Sequence, residues 1–179
     1  MSVKITYLVH GTTTDNEKGL STGQNQGKLS ELGVKQSREL PSQIKDKSFT
    51  TIFCSDLKRA VDSAEISFRD KHPIIQDKRL GECNYGRLNG AKEEKVDYSK
   101  HIDEKFPEGE SLKDVQARIE SFIKFLKRNY SGKHVAIVAH KAPQLAMEVL
   151  TKNKSWKEAI ETDWRKTGKW QPGWSYTVK

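Results

Sequence analysis

Thr6-Tyr7-Leu8-Val9-His10-Gly11-Thr12-Thr13-Thr14-Asp15-Asn16 is the stretch on which the reading of this chain turns. The residues from Val3 to Val9 are rich in apolar and β-branched side chains and read as a short buried strand. It stops abruptly at a histidine, a glycine and a cluster of hydroxyl groups. In open α/β sheets ligands bind beyond the carboxyl ends of the strands, so His10 stands where chemistry is expected, and Gly11 lets an anion approach the backbone. A strand-end histidine is also a common structural hydrogen-bonding residue, and this stretch alone does not separate the two.

Working outward, His134 to Ala139 is nearly all apolar, as an interior parallel strand should be, and it too ends in a histidine, His140, followed by Lys141-Ala142-Pro143 and a helix. A third strand, Thr50 to Cys54, runs into Ser55-Asp56-Leu57-Lys58-Arg59, where Ser55 or Asp56 is expected to cap a helix carrying Arg59 in its first turn. A guanidinium beside the amides of a helix N-terminus suits a phosphate dianion, whereas a surface Arg59 paired with Asp62 or Asp56 is the structural alternative. Pro73 to Gln76 is a further short strand. The glycine-rich loop Leu80 to Gly90 after it holds one carboxylate, Glu82, placed to donate a proton.

Between these lie the packing elements. A helix from Leu29 to Ile44, N-capped by Ser30, carries Leu32, Gln36, Leu40 and Ile44 at helical spacing, and Pro41 is expected to kink or split it. Lys92 to Lys105 reads as a solvated lid or irregular helix with His101 exposed. Ser111 and Asp114 form a capping-box pattern opening a long helix whose core stripe is Leu112, Val115, Ile119, Phe122, Ile123 and Leu126. Trp156, Trp164, Trp170 and Trp174, interleaved with Lys157, Arg165, Lys166 and Lys169, read as packing mass, with Trp156 and Ile160 seating a helix and Trp174 to Val178 an edge strand. A nucleic-acid stacking surface is the alternative.

At 179 residues and 20.4 kDa the chain fits one domain, residues 1–179, large enough for a core without staples. Its 34% hydrophobic and 31% charged residues and mean hydropathy of −0.79 describe a charged globule, and the longest buried run cannot span a bilayer. Met1 to Ile5 moves straight into the first strand with no leader pattern, and Cys54 and Cys83 lack paired or metal-ligand spacing. The expected address is the cytoplasm, with reduced thiols. The net charge of +8 favours anionic ligands. The lysines are scattered and no nucleic-acid signature is present, so the expected partner is a small phosphorylated substrate rather than nucleic acid or membrane. Neither histidine has a metal-ligand partner at helical or CxxC-type spacing, so no metal is expected.

Taken together these motifs resemble the histidine phosphatase superfamily, which includes cofactor-dependent phosphoglycerate mutases, acid phosphatases and small phosphatases. Val9-His10-Gly11 with Asn16 resembles the opening Arg-His-Gly signature. Ser55 to Ala60 with Ser63-Ala64 resembles the phosphate-ligand segment, Leu80-Gly81-Glu82 with Tyr85-Gly86 the proton-donor segment, and Val138-Ala139-His140 the second histidine. The resemblance implies a three-layer α/β/α sandwich around a mostly parallel, phosphoglycerate mutase-like sheet. It implies His10 as nucleophile, Arg59 and His140 as charge ligands, Glu82 as acid, and Gly11, Thr13 and Asn16 on the substrate side of the opening loop, with no cofactor. Two positions depart from it. Val9 replaces the usual arginine, and Lys141 replaces a glycine. Lys141 either swings its ammonium to the phosphate in compensation or points into solvent. The implied activity is hydrolysis of a phosphomonoester through a phosphohistidine, with a mutase-type phosphotransferase or an impaired phosphate-binding module as alternatives. The oligomeric state is not legible.

Overall fold

The fold is seen in a computed structural model that describes residues 1–167 and 173–179. In chain order the elements are β1 (Val3–Val9), α1 (Thr14–Glu17), β2 (Leu20–Ser21), α2 (Glu31–Gln43), β3 (Thr51–Cys54), α3 (Lys58–Phe68), β4 (Ile74–Gln76), β5 (Ala91–Lys92), α4 (Leu112–Asn129), β6 (His134–Ala139), α5 (Lys141–Lys152), α6 (Trp156–Glu161) and β7 (Trp174–Val178). The central sheet has the order β4-β3-β6-β1-β7. All neighbours are parallel except β7, which runs antiparallel to β1 at the edge, as the Trp174 to Val178 pattern foretold.

Alternation along the strands assigns the layers. Leu8, Ile52, Cys54, Ala136 and Val138 face Leu40, Ala64 and Phe68 of α2 and α3. Ile5, Tyr7, Phe53, Val135 and Ile137 face the stripe of α4 and the inner face of α5. The result is a three-layer α/β/α sandwich. The α4 stripe is the sequence-expected one, with Leu112, Val115, Ile119, Phe122 and Leu126 fully buried, and each such side chain contributes roughly 1.5–3 kcal/mol by leaving water. Ser111 and Asp114 cap that helix reciprocally.

Register fixes the site. Val9 lies opposite Ala139, so His10 and His140 leave two adjacent parallel strands at the same level, and His10 N donates to Ala139 O at 3.1 Å. Cys54 lies opposite Val138, which brings the turn into α3 to the same edge.

Four expectations are corrected. α2 is continuous to Gln43 despite Pro41, because the carbonyl that Pro41 cannot serve, Ser37 O, accepts instead from Ser67 Oγ of α3 at 2.7 Å. Its buried face is Gly33, Ser37 and Leu40, while Leu32 is exposed, since small residues let α2 lie close to the His10 loop. No side chain caps α3. Leu57 holds the cap position, and Ser55 Oγ accepts from Leu57 N in the turn before it. The segment 92–105 is the irregular, mostly solvated helix expected, with 3-10 turns at Glu93–Lys95 and Tyr98–His101, but His101 is not exposed: it stacks on the buried Phe106 at 3.8 Å, and Tyr98 is buried as well.

Trp156 and Trp174 are buried and Trp164 packs against the core, so these three act as packing mass, while Trp170 and Lys169 lie outside the described residues. Both cysteines are buried, unbridged thiols, and burial pushes Cys54 up to about 12. Among the described residues no helix is long and apolar enough to cross a membrane.

Candidate active site

The carboxyl edge of the sheet opens into a cavity of about 270 Å³ walled by His10, Arg59, Glu82, Asn16, Lys141 and Arg165, with Val9, Thr12, Tyr85 and Glu93 among the other lining residues. Five segments distant in sequence thus meet there. His140 sits just behind the wall, fully buried, its ring centroid 5.0 Å from that of His10.

His10 is oriented by its own loop. Nδ1 lies 2.7 Å from Gly11 O, an acceptor only, so the proton is on Nδ1 and Nε2 carries the lone pair. Desolvation, the Arg59 charge and, more weakly, Arg165 push its pKa down to about 3 against the pull of the Gly11 carbonyl. The imidazole is therefore neutral, and nucleophilic, at neutral pH. The loop is held at several points. Gly11 N donates to Ser63 Oγ, Thr12 N to Gln36 Oε1, and Ser30 N to Thr12 O.

Arg59, in the first turn of α3, is 2% exposed. It does not pair with Asp62, which Lys58 engages at 2.8 Å. Its Nη1 and Nη2 donate to Asn25 O and Gly23 O at 2.9 and 2.7 Å, and its Nε to His10 Nε2 at 3.3 Å. Two backbone carbonyls thus aim a buried cation at His10, and burial lowers its proton affinity below the ordinary arginine range.

Glu82 is buried at the N-terminus of α5. Its Oε1 accepts from Cys83 N and Ala142 N at 2.9 and 3.0 Å, and its Oε2 from Lys141 N at 3.2 Å, leaving Oε2 the less committed oxygen. Arg118 and Gln24 hold its backbone carbonyl. His140 is positioned by Tyr7, whose hydroxyl donates to His140 O at 2.8 Å and accepts from His140 N at 3.2 Å. Neither ring nitrogen of His140 has a partner among the described residues, and burial together with the Arg59 charge holds the ring well below its usual pKa. In the unliganded protein His140 is therefore a neutral donor rather than a cation, a refinement of the charge-ligand expectation. An entering dianion would favour its protonation.

The other sequence-assigned residues divide. Asn16 reaches the cavity, its Oδ1 accepting from Thr13 N in a capping box. Thr13 does not. It is fully buried with its hydroxyl accepting from Asn16 N, and Thr12 lines the wall instead. Gly11 is required by packing, since a Cβ there would strike the Gly33 carbonyl, and it is not among the residues lining the cavity. Lys141 lines the cavity but is neither solvent-directed nor unpaired: its ammonium lies 3.3 Å from Asp163 Oδ2 and over the Tyr98 ring at 4.9 Å. Tyr7, Thr12, Glu93, Asp163 and Arg165 were not singled out by the sequence. Only Arg165 carries a visible signal in the sequence, as a cation among tryptophans. Among the described residues no three His, Cys, Asp or Glu side chains gather as a metal-ligand group.

Known proteins resemble this chain in sequence and in fold. The sequence profile of the Histidine phosphatase superfamily (branch 1) matches residues 6–161. The chain is 30% identical over 142 residues to a probable fructose-2,6-bisphosphatase TIGAR A of Danio rerio, a match covering 73% of this chain and 56% of that protein, so the chain spans little more than half of that relative. It is 31% identical over 149 residues to a 2,3-bisphosphoglycerate-dependent phosphoglycerate mutase of a Methylobacterium, covering 73% and 72%. A mycobacterial glucosyl-3-phosphoglycerate phosphatase, solved with VO3, superposes with a TM-score of 0.77 at 26% identity over 88% of this chain and 86% of that one.

Proposed function

Because the chain belongs to the histidine phosphatase superfamily, we propose that it is a phosphomonoester hydrolase acting through a phosphohistidine on a small phosphorylated metabolite, without a metal. The observation that carries this reading is the state of His10: Nδ1–H is committed to Gly11 O, the Nε2 lone pair faces Arg59, and the ring is neutral at physiological pH.

In the first step the Nε2 lone pair forms a bond to phosphorus as the ester P–O bond breaks, its electron pair going to the departing oxygen, which takes the proton carried by Glu82 Oε2. In the second, Glu82 takes a proton from water, the water oxygen bonds to phosphorus, and the P–N bond breaks with its pair returning to Nε2. Arg59 Nε–H moves from Nε2 onto a phosphoryl oxygen, and His140 donates to another. Fixed donors of this kind are most of what a protein contributes to phosphoryl transfer.

Hydrolysis is favoured over isomerisation by the cavity wall. The segment 90–111 sends it one carboxylate, Glu93, and none of its lysines, a poor reception for a second phosphate or a carboxylate on the substrate. The test is release of phosphate from an aryl phosphate in excess EDTA. Turnover should be undiminished by the chelator, and an acid-labile phosphoenzyme should be trapped in the parent and absent in His10→Ala. Metal-dependent turnover, or a phosphoenzyme surviving in His10→Ala, would end this reading. Isomerisation of phosphoglycerate outrunning phosphate release would make the protein a mutase.

A further inference from the structure

The polar inventory of the cavity leaves one strong donor unexplained. Val9, next to the nucleophile, offers an apolar wall. Arg59 spends Nη1 and Nη2 on backbone carbonyls, and the Lys141 ammonium is engaged by Asp163. Arg165 also lines the cavity. Its Nη1 donates to Asp163 Oδ1 at 2.8 Å and to Gln144 Oε1 at 3.3 Å, and its guanidinium carbon lies 5.2 and 5.5 Å from the ring centroids of Trp164 and Trp174. One side of the fork is thus clamped and the plane is stacked, while the other nitrogen, Nη2, is buried with no hydrogen-bond partner among the described residues. Buried donors are nearly always satisfied, so an orphan guanidinium nitrogen, shielded from water, on a side chain that lines the cavity points to an acceptor that arrives with the ligand.

We propose that Arg165 is a catalytic phosphate ligand, its Nη2 donating to an oxygen of the phosphoryl group that His10 receives, an inference that rests on the phosphatase reading above. Its charge is already felt at the nucleophile, where it contributes to keeping His10 deprotonated. Asp163, buried between Lys141 and Arg165, orients the fork without cancelling both cations. A lysine at 165 could keep the pair with Asp163 but not present a second donor in the same plane.

The experiment measures kcat/KM on an aryl phosphate and the Kd of inorganic phosphate by calorimetry for the parent, Arg165→Ala and Arg165→Lys, each checked for folding by near-UV circular dichroism. Both variants should lose at least tenfold in kcat/KM and bind phosphate several-fold more weakly, and guanidinium ion added well below denaturing concentration should restore part of the Arg165→Ala loss but none in the parent. A purely structural role for Arg165 predicts no such rescue. If Arg165→Ala does not fold, Arg165→Lys decides by the same two constants. Phosphate affinity and kcat/KM within twofold of the parent, or a loss insensitive to guanidinium with unchanged phosphate affinity, would overturn the assignment. A parent that binds phosphate but releases none from esters would sink the hydrolase reading while the phosphate Kd of the variants still judged Arg165.

Discussion

Acidification should destabilise this protein through His10. In the folded chain His10 is held neutral to about pH 3, whereas in the unfolded chain it takes up a proton near the ordinary histidine value of about 6.5. The unfolded state therefore binds more protons between those limits, and stability rises with pH across that window and is lost as pH falls through it. Integrating the linkage for His10 alone from pH 7 to pH 5 gives a loss of roughly 2 kcal/mol, with a ceiling of roughly 5 kcal/mol if the pH reached 3. His140 and His134, both shifted downward chiefly by burial, act in the same direction. An ordinary carboxylate titrates at about pH 4, so between pH 7 and pH 5 the histidines dominate the proton uptake on unfolding. Urea unfolding in phosphate-free buffer at pH 7, 6 and 5 should show the midpoint falling steeply for the parent and distinctly less for His10→Gln, whose amide cannot take up a proton. Parallel pH dependences for the two proteins would refute the claim that His10 is buried neutral, and with it the reason given for its nucleophilicity.

Further expectations can be checked with the same material. Ser67→Ala strips Ser37 O of its donor and should cost about 1–3 kcal/mol in urea unfolding, most of it recovered in Ser67→Ala/Pro41→Ala, where residue 41 regains an N–H for that carbonyl; additive effects of the two changes would contradict the account of the uninterrupted helix. Glu82→Gln should slow turnover far more for alkyl than for nitrophenyl esters, because a nitrophenolate leaves without a proton, and equal losses on both would remove Glu82 from the acid role. Glu93→Lys should lower KM several-fold for a substrate carrying a second anionic group relative to an aryl phosphate, and an unchanged ratio of the two KM values would show that Glu93 does not select the substrate.

What the sequence revealed and what it withheld follow from the range of the interactions involved. The two histidines were legible because each ends an apolar run, and period-2 burial with parallel pairing then forces His10 and His140 to one level; the pattern is local and the fold only has to align it. Arg59 and Glu82 were legible as residue types in loops at the carboxyl edge of the sheet, but what aims Arg59 at His10, the carbonyls of Asn25 and Gly23, lies more than thirty residues away and leaves no periodic trace. The errors have the same origin. Pro41 reads as a break because the hydroxyl that replaces its missing N–H comes from another helix, and Thr13 reads as a cavity residue because nothing local announces that its hydroxyl is taken up in capping α1. Lys141 drew attention for standing beside His140, yet sequence adjacency says little about reach: its ammonium finds Asp163, twenty-two residues on, and the same carboxylate clamps Arg165. With Val9 contributing only an apolar surface, the cavity's second guanidinium comes from a short helical turn near the C-terminal edge strand, where a run of tryptophans and cations gave no local reason to look for a phosphate ligand.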